Sequence, residues 1–319
     1  METLCSEFSS FAVVRSATHK KTYLGKALHL AFTLLKYMYR SDIVLIDVFS
    51  TKAFYFALCT AIASRILGKK YILNLHGGSL PERYRKSQRV FSWMLKHAQA
   101  VTAPSGYLKH HFENAGYEVK LIPNPIDTSL YTKTQAHRTF PVILYLRSFG
   151  KLYRPENIIE AMVHITRKYP NAHLHMFGKD TEGRIPLCND LIKHNKLQNN
   201  VTIHGVKLRN EWLKTAVECN MCMSVPVTDN TPVSLLEAMC MNIPVITTPA
   251  GGIEYIVQDR QNGLITTGEP IDIAHKAMEL IENDSLYTTV QVHASEYVMT
   301  YDMPKVIALW KDLLHENQP

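Results

Sequence analysis

The sequence predicts two doubly wound α/β domains in tandem, and three observations carry that prediction. The chain has 319 residues, more than one ordinary core organises and enough for two domains. Short apolar segments alternate with segments of helical periodicity, and the alternation restarts after a polar stretch near the middle. The predicted strands are mainly apolar, as expected for parallel strands covered on both faces.

The first domain is predicted to span residues 1–135. Its strands are predicted at Phe11–Val14, Ile43–Ile46, Tyr71–Leu75, Ala100–Ala103 and Lys120–Ile122. Its helices are predicted at Leu24–Tyr39, Phe54–Leu67 and Val90–Ala98. A polar stretch without periodicity, Tyr131–Thr139, follows a Pro-rich turn, and we interpret it as the linker between the domains.

The second domain is predicted to span residues 139–300, and residues 301–319 are predicted to form a helix that returns to the first domain. Its strands are predicted at Val142–Leu146, His173–Phe177, Val201–Ile203, Met221–Val225, Pro244–Thr247 and Gly263–Ile265. Its helices are predicted at Glu156–Tyr169, Leu187–His194, Asn210–Glu218, Ser234–Met241 and Ile253–Val257, with two more before residue 300. Two such domains facing a cleft would bind a ligand where strands end and helices begin.

The net positive charge and the composition limit the possible classes of binding partner but do not select one. Lys and Arg exceed Asp and Glu by 7, which suits an anionic substrate, an anionic membrane or a nucleic acid. No aromatic-basic motif supports nucleic acid binding, so we expect none. The longest apolar runs are too short to span a bilayer and the N-terminus lacks a secretory signal pattern. We therefore expect a cytoplasmic protein that is soluble or peripheral to the inner face of the cell membrane.

The cysteines do not indicate a metal or redox site. Of the six, Cys219 and Cys222 have C-x-x-C spacing, but no second Cys or His pair lies at zinc-finger distance. Most of the others sit in apolar stretches, where a free thiol behaves as a small hydrophobe.

The segment before the helix predicted at Ser234–Met241 has the features of an anion site. Thr231 is a good N-cap residue, and Pro232 would occupy the first helical position, where proline is favoured. The amides of Val233 and Ser234 would then be free donors at the positive end of a helix, ready to bind a diphosphate.

Glu237 lies about one turn further into this helix and would point back towards the same end. A carboxylate there can accept hydrogen bonds from two vicinal hydroxyls, as a ribose presents them. An ordinary capped helix with a surface glutamate explains this stretch equally well by itself.

Residues at other strand ends favour the binding site over that alternative. Arg147 ends the first strand of the second domain and can grip a diphosphate, and Lys151 and Arg154 follow in the next loop. Gly251-Gly252 opens a helix and allows close backbone approach to a ligand. His76-Gly77-Gly78 ends a strand of the first domain. Singly these residues have plain interpretations, but all are predicted at the same end of their sheets.

With these features the chain resembles a family 4 retaining glycosyltransferase of the GT-B fold, the kind found in bacterial surface-polysaccharide clusters. The motifs that carry the resemblance are the acidic pair Asp229 and Glu237, Pro244–Thr247 followed by Gly251-Gly252, Ile122–Asp127, and Leu75-His76-Gly77. The resemblance runs from about Asp42 to the C-terminus. It implies two Rossmann-like domains that face a cleft.

The resemblance implies roles for the nucleotide-binding residues. Glu237 would bind the donor ribose, and the backbone near Gly205-Val206 would hold the base. Arg147, with Lys151 or Arg154, would hold the diphosphate beside the helix-end amides.

It also implies the chemistry. Asp229 takes the place of the family's first glutamate, which contacts the transferred sugar, and His76 would contact the sugar or the acceptor hydroxyl. With Glu237 these form the predicted catalytic set. The donor would be a nucleotide-diphosphate sugar and the acceptor a glycan or a lipid-linked glycan in polysaccharide biosynthesis. We expect front-face attack, with the departing phosphate helping to take the acceptor proton.

No metal or other cofactor is expected. The chain contains no Asp-x-Asp motif of the kind that binds a metal–diphosphate complex. Fixed amides and the cations Arg147 and Lys151 would instead stabilise the leaving diphosphate.

Three departures from the family pattern keep two alternatives open. Asp229 is one methylene shorter than glutamate, and Pro232 stands where the family has glycine, which removes an amide donor. The family's first strand and glycine-rich loop are not visible, so we expect an incomplete first domain. One alternative is therefore an inactive nucleotide-sugar-binding remnant. The other, ranked last, is a sugar-nucleotide epimerase, for which only His76 and Asp229 could serve as acid and base.

The segment Glu82–Lys96 mixes basic and large apolar residues. It could lie on an anionic membrane, or it could be a solvated helix with a buried apolar stripe. We favour the second interpretation, while the family's frequent use of lipid-linked acceptors keeps the first open.

Overall fold

The computed structural model describes residues 22–134 and 138–317, which form two α/β units with one parallel sheet each. One unit comprises the chain up to Pro125 together with the segment from Met303 onwards, and the other runs from Ile126 to Asp302. The strand predicted at Phe11–Val14 lies outside the described residues.

Strands and helices alternate along both units. The strands are β1 (Ile43–Phe49), β2 (Lys70–His76), β3 (Ala100–Ala103), β4 (Lys120–Leu121), β5 (Val142–Leu146), β6 (His173–Phe177), β7 (Val201–Gly205), β8 (Met221–Ser224), β9 (Val245–Thr247) and β10 (Leu264–Ile265). The helices are α1 (Tyr23–Tyr37), α2 (Ala53–Ile66), α3 (Leu80–Lys86), α4 (Gln88–His97), α5 (Gly106–Asn114), α6 (Pro155–Lys168), α7 (Ile185–His194), α8 (Arg209–Ala216), α9 (Val233–Cys240), α10 (Pro270–Glu282), α11 (Asp284–Val298) and α12 (Met303–Glu316). Short 3-10 turns include Lys151–Tyr153 and Gly252–Tyr255; the latter replaces the helix predicted at Ile253–Val257.

The sheet of the first unit has the order β1-β2-β3-β4, with all described pairs parallel. Strand β2 is buried from Tyr71 to Leu75 because it is covered on both faces. Leu73 packs into the core on one face, while Ile72 packs on the other against Val306 and Trp310 of α12. The C-terminal helix therefore completes the core of the first unit.

The segment Glu82–Lys96 forms parts of two helices, α3 and α4, which are separated at Ser87. Phe91, Met94 and Leu95 of α4 are buried in the core of the first unit. The apolar stripe of α4 thus faces the protein, as the favoured interpretation of this segment requires.

The sheet of the second unit has the order β10-β9-β8-β5-β6-β7, again with parallel pairs. The chain builds outward from β5 in one direction through β6 and β7, and in the other through β8, β9 and β10. The order therefore reverses between β5 and β8, and ligands in open parallel sheets bind at the carboxyl ends of strands beside such a reversal.

Helices cover the second sheet on both faces. On one face Leu174 and Met176 of β6 pack against α6 and its neighbours, and on the other Leu144 packs with α8 and α9. Cys219 and Cys222 are fully buried in the second of these layers and act there as small apolar residues.

The segment predicted as a linker begins with residues that belong to the second unit. The amide of Ile126 donates to the carbonyl of Tyr301 at 2.9 Å, and the amide of Thr134 donates to the carbonyl of Met241 at 2.8 Å. Tyr131 is buried between them, with 7% of its surface exposed. The linker interpretation of Tyr131–Thr139 is thus wrong for its first four residues, because tertiary hydrogen bonds and burial override a polar local sequence.

Among residues 22–134 and 138–317, none of the helices combines the length and the apolar character that a bilayer-spanning segment needs.

Candidate active site

A cavity of about 340 Å³ lies in the second unit at the carboxyl ends of β5 and β6. It is lined by Leu146, Arg147, Ser148, Tyr153, Phe177, Gly178, Ser234 and Glu237. Another pocket of the same unit is slightly larger, about 380 Å³, but none of the predicted site residues lines it. The cavity beside the strand-order reversal is therefore the candidate site.

Helix α9 presents its N-terminus in this region. It begins at Val233, and Pro232 is the capping residue with an extended ψ of 109°. The predicted cap at Thr231 is thus wrong by one position, and no side chain caps the helix. The amides of Val233 and Ser234 still lie in the first turn, where a helix supplies no acceptors for them.

Two hydroxyl groups at this helix end are buried and unpaired. Within the described residues, the hydroxyls of Thr231 and Ser234 have no hydrogen-bond partner. A buried polar group without a partner is costly, so such groups often mark a place where a ligand or water binds. Together with the amides they make the start of α9 rich in unused donors.

Glu237 is buried, with 9% of its surface exposed, so the surface-glutamate alternative is wrong. The hydroxyl of Tyr131 donates to Oε1 of Glu237 at 2.8 Å, and Nη2 of Arg209 lies 4.0 Å from the same oxygen. Burial raises the pKa of Glu237, and the hydrogen bond from Tyr131 and the charge of Arg209 offset this only in part.

Arg147 and Asp229 form an ion pair between Nη2 and Oδ2. Arg147 follows β5 and Asp229 lies in the loop after β8, so the pair bridges the two strands at the reversal. The ring of Tyr153 stacks on the guanidinium, with its centroid 4.2 Å from Cζ. Within the described chain, Nε of Arg147 is buried without a partner. The structure thus places two residues with separate predicted roles in one contact.

The glycine pair meets protein backbone. The amide of Gly252 donates to the carbonyl of Asp229 at 2.8 Å, and a Cβ on Gly252 would lie 1.8 Å from the carbonyl oxygen of Asn230. Gly251 has a φ of +64°, and its Cβ would lie 2.4 Å from the carbonyl oxygen of Asp229. The close approach that the glycines allow is made here to the loop that carries Asp229, and it fixes the position of this loop.

The remaining donor-side candidates differ in availability. Nε of Arg154 donates to the carbonyl of Val225 at 2.9 Å, and its guanidinium packs against Gly268. Lys151 is exposed in its 3-10 turn. Lys151 is therefore the more available of the two cations.

The residues predicted to approach the base lie at the end of β7. Gly205 is the last residue of this strand and has a φ of +69°, which favours glycine. Val206 follows it with 70% of its surface exposed. The backbone at this strand end is thus open to an incoming group.

In the first unit, His76 ends β2 within a polar cluster. Its Nε2 lies 3.0 Å from Oδ1 of Asp47 and 2.7 Å from Nδ2 of Asn74, and the ring of Phe49 stacks on it at 5.1 Å. Burial opposes the ionisation of Asp47, but the hydrogen bond and charge of His76 outweigh it and lower the pKa of this carboxyl. The cluster holds the imidazole beside a carboxylate at the carboxyl end of the sheet.

Sequence reasoning missed three residues of the second unit that contact the predicted ones. Tyr131 and Arg209 reach Glu237, and Tyr153 stacks on Arg147. The one usable signal was an aromatic residue inside the polar stretch after the Pro-rich turn. The contact of Tyr131 with Glu237 spans 106 positions, beyond the reach of any local pattern.

Comparison with known proteins agrees with the resemblance seen in the sequence. The family model described as Glycosyl transferases group 1 matches residues 130–296, and the model described as Glycosyltransferase Family 4 matches residues 9–130. A relative from Bacillus anthracis, N-acetyl-alpha-D-glucosaminyl L-malate synthase, is 22% identical over 282 residues, which cover 82% of this chain and 72% of the relative.

Solved structures are similar over nearly the whole chain. Anabaena Alr3699/HepE, solved in complex with UDP, has a TM-score of 0.78 at 19% identity. The match covers 93% of this chain and 84% of the Anabaena chain. A glycosyltransferase from Rickettsia africae ESF-5 has a TM-score of 0.72 at 17% identity, with 99% and 87% covered. At such identities the likeness shows the fold, which is the two-domain Rossmann-like architecture.

Proposed function

Because the chain belongs to the group 1 glycosyl transferases and is a glycosyltransferase, we propose that it transfers a sugar with retention of configuration. The donor is a nucleotide-diphosphate sugar, and the acceptor is a glycan or lipid-linked glycan of polysaccharide biosynthesis. One observation carries the proposal: Glu237, Ser234 and Arg147 line a single cavity beside the strand-order reversal and the start of α9.

The donor nucleotide is the best-supported part of the proposal. Glu237 accepts hydrogen bonds from the ribose hydroxyls, and the amides of Val233 and Ser234 with the hydroxyl of Thr231 donate to the diphosphate. The backbone at Gly205-Val206 binds the base. Anabaena Alr3699/HepE was solved with UDP and with UDP-glucose, which supports a uridine donor here.

The reacting groups of the second unit are Arg147 and Asp229. Asp229 binds the transferred sugar, while Arg147 and Lys151 stabilise the charge that develops on the diphosphate without a metal ion. The bond from the anomeric carbon to the diphosphate breaks, and its electron pair leaves with the diphosphate. The acceptor oxygen bonds to the same face of that carbon while its proton passes to a departing phosphate oxygen.

Two measurements test this function. The first is the thermal shift of the chain with UDP, GDP and ADP, because a ligand of the native state raises the melting temperature. We expect at least one clear shift that Glu237→Gln reduces. No shift with any of them would overturn the donor site.

The second measurement is the anomeric configuration of the transfer product, read by NMR. An α-linked donor should give an α-linked product, and a β-linked product would overturn retention. Nucleotide binding without transfer to any of several glycan acceptors would instead favour the inactive nucleotide-binding alternative.

The first unit offers support for a membrane-bound, lipid-linked acceptor. Along α2, Tyr55, Cys59, Ile62 and Ile66 are exposed and recur at helical spacing on one stripe. The sequence from residue 48 to 81 contains four Lys or Arg and no Asp or Glu. An apolar stripe in basic surroundings suits the surface of an anionic bilayer at the inner face of the cell membrane.

Sedimentation with lipid vesicles tests this surface. The chain should bind vesicles that contain phosphatidylglycerol, bind less in high salt, and bind less after Ile66→Asp. The control is Ile271→Asp, which alters an exposed isoleucine of the second unit. Equal loss in both variants, or no binding to anionic vesicles, would contradict a contact through α2.

A further inference from the structure

Tyr131 reaches the carboxylate of Glu237 from the segment by which the chain enters the second unit. We infer that Tyr131 is a positioning residue that orients Glu237 for the vicinal hydroxyls of a ribonucleotide. The inference rests on the proposed function and names a residue that makes the nucleotide site selective for ribose.

The geometry divides the two oxygens of the carboxylate between protein and ligand. The hydroxyl of Tyr131 donates to Oε1 at 2.8 Å, and the nearest cation, Nη2 of Arg209, lies 4.0 Å from the same oxygen. Among the described residues, none forms a hydrogen bond with Oε2 of Glu237. One oxygen is thus held and the other is left for a ligand in the cavity that Glu237 lines.

The backbone on either side of Tyr131 is fixed, so its hydroxyl approaches from a defined position. After it, the amide of Thr134 donates to the carbonyl of Met241 and its hydroxyl donates to the carbonyl of Val217 at 2.6 Å. Before it, the amide of Ile126 donates to the carbonyl of Tyr301. These bonds tie the segment to α8, α9 and the end of α11, and the ring of Tyr131 packs in the layer between the sheet and these helices.

The charge state of the pair suits this role. Burial and the neighbouring carboxylate raise the pKa of Tyr131, so the phenol keeps its proton and remains a donor. Glu237 is the acceptor, and a hydrogen bond to a charged acceptor is stronger than one between neutral groups. Without the hydroxyl, the carboxylate would keep only the more distant Arg209 and would be free to rotate.

The consequence is a preference for ribonucleotides. With Oε1 fixed, the two lone pairs of Oε2 can accept from both hydroxyls of the ribose in one geometry. A 2′-deoxyribose offers a single hydroxyl and forfeits half of that contact. The preference for ribose over 2′-deoxyribose therefore measures how well Glu237 is oriented.

The test compares dissociation constants for UDP, GDP and ADP with those for their 2′-deoxy counterparts, by calorimetry on the full chain. The proteins are wild type, Tyr131→Phe, Glu237→Gln and the double variant. Tyr287→Phe is the matched control, because Tyr287 is also buried in the second unit and its hydroxyl donates to the carbonyl of Asn220 at 2.8 Å. Wild type should prefer the ribonucleotide by roughly tenfold or more.

We expect Tyr131→Phe to lose most of that preference, and the double variant to lose no more than Glu237→Gln alone. Tyr287→Phe should keep the preference even if it lowers the melting temperature. A ribose preference that survives Tyr131→Phe but is lost in Glu237→Gln would overturn the inference and leave the proposed function intact. A preference that survives Glu237→Gln would overturn the ribose assignment itself. If wild type binds none of the three nucleotides, the proposed function and the inference fail together.

Discussion

Glu237 shows at the scale of one residue how binding and stability oppose each other. Its carboxylate is buried, and burial raises its pKa above the ordinary value of 4.5. A group with a raised pKa in the folded state stabilises the fold below its unfolded pKa, and this contribution is lost as the pH rises through the folded pKa. Because the pKa of Glu237 is raised, its carboxyl group lowers the stability of the fold at pH values above the folded pKa.

We predict that Glu237→Gln raises the melting temperature at pH 7 and weakens nucleotide binding by roughly 1.5–3 kcal/mol, the usual value of hydrogen bonds to a charged group. The stability gain should shrink as the pH falls through the raised pKa of the wild-type carboxyl, because the protonated carboxyl carries no buried charge. Thermal unfolding across pH, with calorimetry at pH 7, measures both effects.

The control for this variant is Glu160→Gln, which changes an exposed glutamate of α6. It should alter neither quantity. A lower melting temperature for Glu237→Gln at pH 7 would show that the carboxylate is paired well enough to stabilise the fold.

At the scale of elements, the loop after β8 is placed by the glycines after β9. The amide of Gly252 bonds to the carbonyl of Asp229, and both glycines lie against the backbone of this loop. The ion pair between Asp229 and Arg147 then links the loop to the end of β5. The position of Asp229 thus depends on contacts that only glycine permits.

We predict that Gly251→Ala destabilises the second unit by roughly 1–3 kcal/mol more than a glycine replacement without a clash, because the added Cβ overpacks the loop. It should also weaken donor-sugar binding, since Asp229 moves with the loop. Chemical denaturation measures the first effect, and calorimetry with UDP-glucose against UDP measures the second.

Gly183→Ala is the matched control. Gly183 has nearly the same left-handed φ, +67° against +64°, but nothing lies within 4 Å of an added Cβ. Gly183→Ala is therefore destabilised only by the left-handed backbone conformation and not by a steric clash. Equal destabilisation of the two variants would show that the loop moves away from the added Cβ of Gly251→Ala without any loss of stability.

At the scale of the whole molecule, the residues proposed to contact the donor lie within one unit. Both core layers of the second unit and every residue that lines the cavity fall between Ile126 and Asp302. We predict that a fragment of residues 126–302 folds and binds the same nucleotide as the full chain. Circular dichroism and the thermal shift with UDP measure this. A folded fragment that binds no nucleotide, beside a full chain that does, would place essential contacts in the first unit.

We also predict that EDTA leaves nucleotide binding by the full chain unchanged, because fixed amides and cations take the place of a metal ion at the diphosphate. Calorimetry with UDP before and after chelation tests this. Loss of binding with EDTA, restored by Mg²⁺ or Mn²⁺, would overturn the proposed electrostatics.

The sequence by itself determined the fold class, most of the element positions and the family. Strands such as Val142–Leu146 and His173–Phe177 were located to the residue, because buried parallel strands are mainly apolar and end at polar or glycine residues. The strand-end positions of Arg147 and His76 were visible for the same reason. The acidic pair was visible from the helix-start pattern at Glu237 and from the resemblance to the family. Helix ends were less accurate: α9 begins at Val233 rather than at the predicted Ser234, and Pro232 is its cap rather than its first helical residue.

Only the tertiary structure decided which of these residues meet. Tyr131 donates to Glu237, Arg147 pairs with Asp229, and Gly252 packs against Asn230. The two residues of each pair lie far apart in the sequence. Local sequence patterns indicate the hydrophobic period and the end residues of a single helix or strand. Contacts between strand ends depend on sheet order, and here the reversal between β5 and β8 brings loops 82 residues apart into one ion pair.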